Sequence, residues 1–247
     1  MKNKIILFTS FLFLLIIFLM PAKIIKKFLP AKSGVVISGL DGTVWSGKIG
    51  NLQLQGWSLE DIDFNTRVFS LITGKLGADV DIFKGDLIGN LAFELQDSKT
   101  VNLENANIKT SLSHFEKYIP FKGIELKGNL ETRHVDLHIL ASRLTYLYGK
   151  TLWNDSAVTL NGKLWTLGNF ELDWKTNEDG SIQAKILKGE NILDIQGDIK
   201  ISKQGLLDFS GSISTGVDKS IFNAFLFFAD GKQSNGRQAL KFKKKIW

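Results

Sequence analysis

The chain contains no cysteine. Disulfides, thiol chemistry and cysteine-ligated zinc are therefore excluded, and the absence suits an oxidising compartment without demanding one. Proline is nearly as scarce, with 3 residues against 23 glycines, a balance that suits many short strands joined by glycine turns. No G-x-S-x-G elbow and no phosphate-binding glycine loop of either familiar spacing occurs, so neither a serine-hydrolase site nor a nucleotide site can be placed. Acidic residues are missing from the first 32 positions, which hold six lysines: Lys2, Lys4, Lys23, Lys26, Lys27 and Lys32. Four more, Lys241, Lys243, Lys244 and Lys245, sit at the other end. Residues 33–240 carry 21 basic and 25 acidic residues, so the formal charge of +6 belongs to the two ends and the body is net −4. A body of that sign offers no footprint for nucleic acid. Lysines beside an apolar segment are what an anionic lipid surface attracts.

The one long apolar run is Ile5 to Met20, IILFTSFLFLLIIFLM, which is free of charge. As a helix it extends ~24 Å, or ~27 Å with Pro21 and Ala22, close to the ~30 Å hydrocarbon core of a bilayer. This predicts a cytoplasmic tail over 1–4, one transmembrane anchor over 5–22 and a basic stalk over 23–33. The alternative is a cleaved signal peptide, which the run disfavours because Met20 would occupy one of the two small-residue positions of a cleavage site ending at Ala22. Lys2 and Lys4 flank one side and Lys23, Lys26 and Lys27 the other, so charge orients the span weakly, and a simple positive-inside count places the body on the cytoplasmic side.

Residues 34–247 read as one β-rich domain. Hydrophobic residues make up 44% of the chain, enough for a packed core. Period-2 alternation recurs: Leu76, Ala78, Val80 and Ile82; Leu87, Leu91, Phe93 and Leu95; Ile124, Leu126, Gly128 and Leu130; Phe170, Leu172 and Trp174; Ile182, Ala184 and Ile186; Leu193, Ile195, Ile199 and Ile201; Leu207, Phe209 and Ile213. One apolar and one polar face is the pattern of half-buried antiparallel strands. Asp41-Gly42, Asn161-Gly162, Asp179-Gly180 and Lys188-Gly189 are turn signals between them. The expected fold is all-β: about a dozen strands in a strongly curved antiparallel sheet or sandwich, with one or two short helices. Those helices are a single turn at Val68–Thr73 closed by Gly74, and a longer one at Val217–Ala229 capped by Asp218 or Ser220, with Ile221, Ala224, Phe225 and Phe228 on its apolar stripe.

Candidate chemistry is sparse. His134, Asp136 and His138 stand at strand spacing and carry ligand-type side chains, but Val135, Leu137 and Ile139 supply an opposite apolar face, so a solvated polar face explains them more simply than a metal. Parity carried from Leu126 and Leu130 conflicts with that face, which predicts a bulge near Thr132. The pairs Asp61/Asp63 and Asp79/Asp81 read as carboxylates on the wet side of a sheet rather than an acid–base couple. The tryptophans, at 45, 57, 153, 165, 174 and 247, read as core or cross-strand partners rather than a carbohydrate platform. No catalytic residue, cofactor or metal ligand is assigned.

The segment Gly39 to Gly56, GLDGTVWSGKIGNLQLQG, combines a short strand, a turn, then Gly42, Thr43, Val44, Trp45, Ser46 and Gly47, and an alternating strand. Following an N-terminal apolar run, it resembles the type II secretion system protein N family. The likeness continues through SLEDIDFNTRVFSLITGKLGADVDI and returns in IFNAFLFFADGKQSNGRQAL, although Phe64 stands where the family commonly has Trp, and Val68-Phe69 where it often has Pro. Read from the residues alone, Trp45 is the core anchor of the first hairpin, with a docking role as the alternative. The resemblance implies a non-catalytic accessory subunit in the inner membrane of a Gram-negative bacterium, single-pass, with its C-terminal domain in the periplasm and other secretion subunits as partners. The family also looks related to AsmA-like envelope proteins, which implies an alternative in which the sheet binds or transports lipid.

Overall fold

The computed structural model describes residues 2–28, 34–97, 99–118, 124–160, 162–187, 191–226, 229–231 and 233–246. The chain divides into two compact units, Met1–Gln96 and Asp97–Trp247, so the stretch read as one β domain is built as parts of both.

The first unit opens with helix α1 (Lys2–Phe18). It ends four residues short of Ala22, because a residue preceding proline is driven out of the helical region and Met20 precedes Pro21. The continuous helix expected over 5–22 is therefore broken. Among the described residues no helix is long and apolar enough to cross a membrane. A 3₁₀ turn (Ala22–Ile24) and helix α2 (Ile25–Phe28) follow. Residues 29–33 of the stalk lie outside the described residues.

Five strands then form an antiparallel meander: β1 (Val35–Gly42), β2 (Ser46–Leu54), β3 (Trp57–Thr66), β4 (Leu76–Gly85) and β5 (Leu87–Leu95). Gln55 and Gly56, both at positive φ, make the two-residue turn between β2 and β3, the geometry that matches strand twist. Helix α3 (Val68–Ile72) lies where the single turn was expected. Gly74 at φ +78° closes it, and its N–H reaches the carbonyl of Leu71. Across the sheet, Leu40 pairs with Ile49, Ile49 with Ile62, and Ile62 with Ile82, which gives one continuous apolar row. Ala22, Leu40 and Phe64 are buried together, with Ile25, Ile37, Ile49 and Val80 around them. The 3₁₀ turn and α2 thus cover the sheet that the chain has just entered.

The second unit runs β6 (Thr100–Ser111), a 3₁₀ segment (Leu112–Tyr118), β7 (Ile124–Leu140), β8 (Arg143–Leu160), β9 (Lys163–Thr176), β10 (Ile182–Leu187), β11 (Gln196–Ile201), β12 (Leu206–Ser214), helix α4 (Lys219–Phe225) and β13 (Arg237–Lys245). Each strand pairs antiparallel with the next. In each unit the strands lie in one sheet, and helices and loops rather than a second sheet cover it. Asp179-Gly180 lies in the turn between β9 and β10 as read. Asn161, Lys188-Gly189, Phe228 and Trp247 fall outside the described residues. Leu193 and Ile195 precede β11 instead of belonging to it. Leu193 is instead buried with Val158, Leu167, Phe170 and Ile221, so α4 and this loop close the face of β8 and β9. Asp218 caps α4 by accepting the N–H groups of Ser220 and Ile221, which holds its carboxyl below the usual range.

Candidate functional site: the turn that receives the N-terminal helix

Asp41-Gly42 is not the hairpin turn. Both residues belong to β1, Gly42 pairs with Gly47, and the turn is Thr43–Trp45. Gly42 sits at φ +92°, and a Cβ there would lie 2.6 Å from the Ser46 carbonyl oxygen, so both its conformation and its surroundings demand glycine. At Gly47 a Cβ would stand 2.4 Å from the Asp41 carbonyl oxygen and 2.9 Å from the Phe64 ring, which occupies the vacant side-chain position. Thr43 shapes the turn from inside: its N–H donates to the Ser46 carbonyl at 2.9 Å, and its hydroxyl accepts the N–H groups of Trp45 at 3.3 Å and Ser46 at 3.2 Å. Thr66 closes the far side. Its N–H donates to the Trp45 carbonyl at 2.7 Å, and its hydroxyl to the Val44 carbonyl at 2.6 Å.

The turn faces the end of α1. A helix leaves its last carbonyls without intrahelical donors. The indole N–H of Trp45 donates to the Ile17 carbonyl at 2.9 Å, and the backbone N–H of Val44 donates to the Met20 carbonyl at 2.9 Å. Pro21 bridges to Thr43, and Lys23 lies 3.9 Å from the Asp41 carboxylate. The Trp45 ring forms one wall of an apolar cleft of ≈ 500 Å³ whose other walls are Phe11, Leu15, Ile17, Phe18 and Leu19. Trp45 is half-buried and is absent from the cluster of Ala22, Leu40 and Phe64. It is therefore no buried member of that core, and its ring and indole N–H meet the chain's own helix.

Along α1 the large side chains are bare: Ile6 is 63% exposed, Leu7 73%, Phe8 67% and Phe18 72%. Trp45 and Ile17 are 28 positions apart, so no local pattern signals their contact. What could have been read is the coincidence of a helix end without its own C-cap glycine and a nearby turn carrying an indole donor.

The other candidates resolve into structure. A bulge interrupts β7 between Arg133 and Asp136, close to where parity demanded it, with His134 at φ +49°. Its lost ladder bonds are replaced by side chains: the Asn107 amide oxygen accepts the His134 N–H, the Asp136 carboxylate accepts the Asn105 N–H, and the Thr132 hydroxyl accepts the Ile108 N–H. His134 Nδ1 lies 2.7 Å from Asn105 Oδ1, and His138 Nδ1 lies 2.6 Å from Thr145 Oγ1, so the two imidazoles serve separate partners. Among the described residues no group of three His, Cys, Asp or Glu is placed to hold a metal. Asp61, Asp63 and Asp79 pair with Lys84, Lys48 and Arg67. The hydrogen bond that Lys84 donates to the Asp61 carboxylate raises the lysine's pKa. Trp153 stacks on Phe170 at 5.4 Å, and Trp174 donates to the Thr151 hydroxyl across strands.

Fold and site together define a class: an antiparallel β-sheet protein whose first hairpin turn receives and caps a bare apolar helix. The chain belongs to the type II secretion system protein N family, whose family model matches residues 33–240. It is similar to Type II secretion system protein N of Vibrio cholerae serotype O1 (strain ATCC 39315 / El Tor Inaba N16961), at 30% identity over 80 residues, which is 32% of this chain and 32% of that protein. The match thus spans about a third of the relative's length. No solved structure matches the chain.

Proposed function

We propose that this protein is a non-catalytic accessory component of type II protein secretion, held in the inner membrane by α1 with its sheets in the periplasm, and acting by contact with other secretion subunits. The observation that carries the reading is the bare helix. It is apolar all round, most of its large side chains are exposed with only its end met by Trp45, and its terminal carbonyls are received by the segment on which the family resemblance rests. A helix without a polar face needs an apolar surrounding, and its ~25 Å length suits the greater part of a bilayer core. The lysines on both sides of it suit anionic headgroups. Protein contact remains available through the sheet edges and through α1 itself.

The test is a chromosomal deletion complemented with the full chain or with a chain whose α1 carries two charges, Leu7→Asp and Leu12→Asp. The full chain is expected to stay in membranes washed at alkaline pH, to give an active phosphatase reporter fused after Trp247, and to restore secretion. The charged variant is expected to leave the membrane fraction and to fail. An inactive reporter would refute the periplasmic placement, and undiminished secretion in the deletion strain would refute the secretion role.

A further inference from the structure

Among the described residues outside α1, the two most exposed large apolar side chains both lie on α3. Phe69 is 85% exposed, Ile72 75% and Val68 48%, and the adjoining Leu76 is 50% exposed. A single helical turn with such side chains in water has no folding rationale, and contiguous exposed apolar side chains mark a surface that meets a partner. The position of α3 indicates the partner. It begins two residues after Thr66, the residue whose N–H and hydroxyl hold the turn that caps α1. The helix end, the indole of Trp45 and α3 therefore gather at one end of the first sheet. The charges next to α3 are neutralised within the unit: Arg67 pairs with Asp79 at 2.8 Å and Lys75 with Glu94 at 2.8 Å. In the same unit the acid-free segment of α2 leaves Lys26 and Lys27 exposed. Apolar side chains flanked by lysines and an interfacial tryptophan are the features of an element that lies in the headgroup boundary of an anionic membrane.

We propose that α3 is a second membrane contact: Phe69 and Ile72 insert into the leaflet from which the end of α1 emerges, so that the first sheet is seated on the bilayer at two points rather than hanging from one. This rests on the reading of α1 as a membrane helix. A chain anchored by a helix alone can swing about its joint, whereas a second insertion fixes the direction in which β1–β5 stand from the membrane.

The absence of native cysteine permits single-site labelling. Full-length chains carrying Phe69→Cys, Ile72→Cys, Leu12→Cys or Gln53→Cys would be labelled with a polarity-sensitive fluorophore. They would then be reconstituted in vesicles of phosphatidylethanolamine and phosphatidylglycerol containing nitroxide lipids. Phe69 and Ile72 are exposed, so these substitutions leave folding intact, and Gln53 lies at the opposite end of β2. Labels at 69 and 72 are expected to shift to the blue, to be quenched by nitroxide near the headgroup, and to lose iodide accessibility relative to 53. Quenching at 12 with full iodide access at 69 and 72 would overturn the insertion and leave the anchor standing. Quenching at 69 and 72 without quenching at 12 would overturn the anchor reading, and with it the seating at two points. Protection from iodide at 69 and 72 without lipid quenching would overturn the proposal in favour of a protein partner.

Discussion

Replacing Trp45 separates the joint from the core. Truncating a fully buried tryptophan typically costs ~3–5 kcal/mol. Trp45 is only half-buried, so its ring contributes about half of that, ~2 kcal/mol. The hydrogen bond to the Ile17 carbonyl adds about 1 kcal/mol, since that carbonyl keeps the Met20 N–H when the indole is removed. Trp45→Ala should therefore weaken the docking of α1 by ~3 kcal/mol, roughly a hundredfold in the open population. Trp45→Phe keeps most of the ring and loses the bond, about 1 kcal/mol, or roughly fivefold. Little of this falls on the sheet, because the buried cluster is Ala22, Leu40 and Phe64. Phe64→Ala, by contrast, should cost ~3–5 kcal/mol of sheet stability. The assay is limited trypsin digestion of the full chain in detergent, following cleavage after Lys23, beside thermal melts of the same samples. When the joint recloses faster than trypsin cuts, cleavage tracks the open population. Trp45→Ala should accelerate that cut strongly with a small change in melting, and Phe64→Ala should lower the melting midpoint. A Trp45→Ala protein that melts as early as Phe64→Ala while its Lys23 cleavage is unchanged would show that Trp45 anchors the hairpin after all.

Gly47→Ala places a Cβ 2.4 Å from the Asp41 carbonyl oxygen and should destabilise the first unit by ~1–3 kcal/mol, read as a lower urea midpoint. Leu193→Ala, at a site 1% exposed under α4, should cost ~2–5 kcal/mol in the second unit by the same measurement. Glu131 accepts from Arg133 at 2.9 Å, which lowers its pKa, with further help from Lys109. Its contribution to stability is present above the ordinary carboxylate pKa and is lost as pH falls through the lowered value. Glu131→Gln should accordingly flatten the acid limb of the stability profile, and identical slopes for parent and variant would reject this pairing. His134→Gln with His138→Gln should leave folding and secretion intact, and zinc found in the parent together with lost secretion in the double variant would contradict it.

The strands were largely legible because alternation is a property of neighbouring residues, and a half-buried sheet imposes it residue by residue. Positions that depend on distant partners were not. The turn between β7 and β8 is Ala141-Ser142, both at positive φ and with no glycine or asparagine to announce it. The long flanking strands impose that conformation. Asp41-Gly42 carries a turn signal and yet lies in a strand, because the Thr43 hydroxyl organises the next residues into the loop and Gly42 is required for close approach instead. The bulge at His134 was visible as a conflict of parity, but its location depends on Asn105, Asn107 and Asp136, whose side chains substitute for the missing ladder. Leu193 keeps the alternation of β11 while sitting outside it, since burial beneath α4 selects the same residue type as a strand interior does.

The candidate site combines both situations. Its residues were singled out by their pattern, but their role follows from a demand made elsewhere. The sequence at the end of α1, Leu19-Met20-Pro21, holds no glycine to turn back and satisfy the last carbonyls, and proline removes one backbone donor just where donors are needed. The carbonyls of Leu15 and Ile17 accept the N–H groups of Leu19 at 3.0 Å and Met20 at 3.3 Å, and the turn adds a second donor at Ile17 and one at Met20. Val44 offers a backbone N–H because Thr43 and Thr66 hold the turn open toward the helix, and Trp45 offers an indole N–H on a ring that also covers the apolar last turn. An indole suits this place better than any other side chain, since it carries a donor and no acceptor on a large apolar surface. Gly42 and Gly47 then let β1 and β2 approach closely enough to bring both donors to one point. The six residues from Gly42 to Gly47 form a cap for a helix that they follow by more than twenty positions.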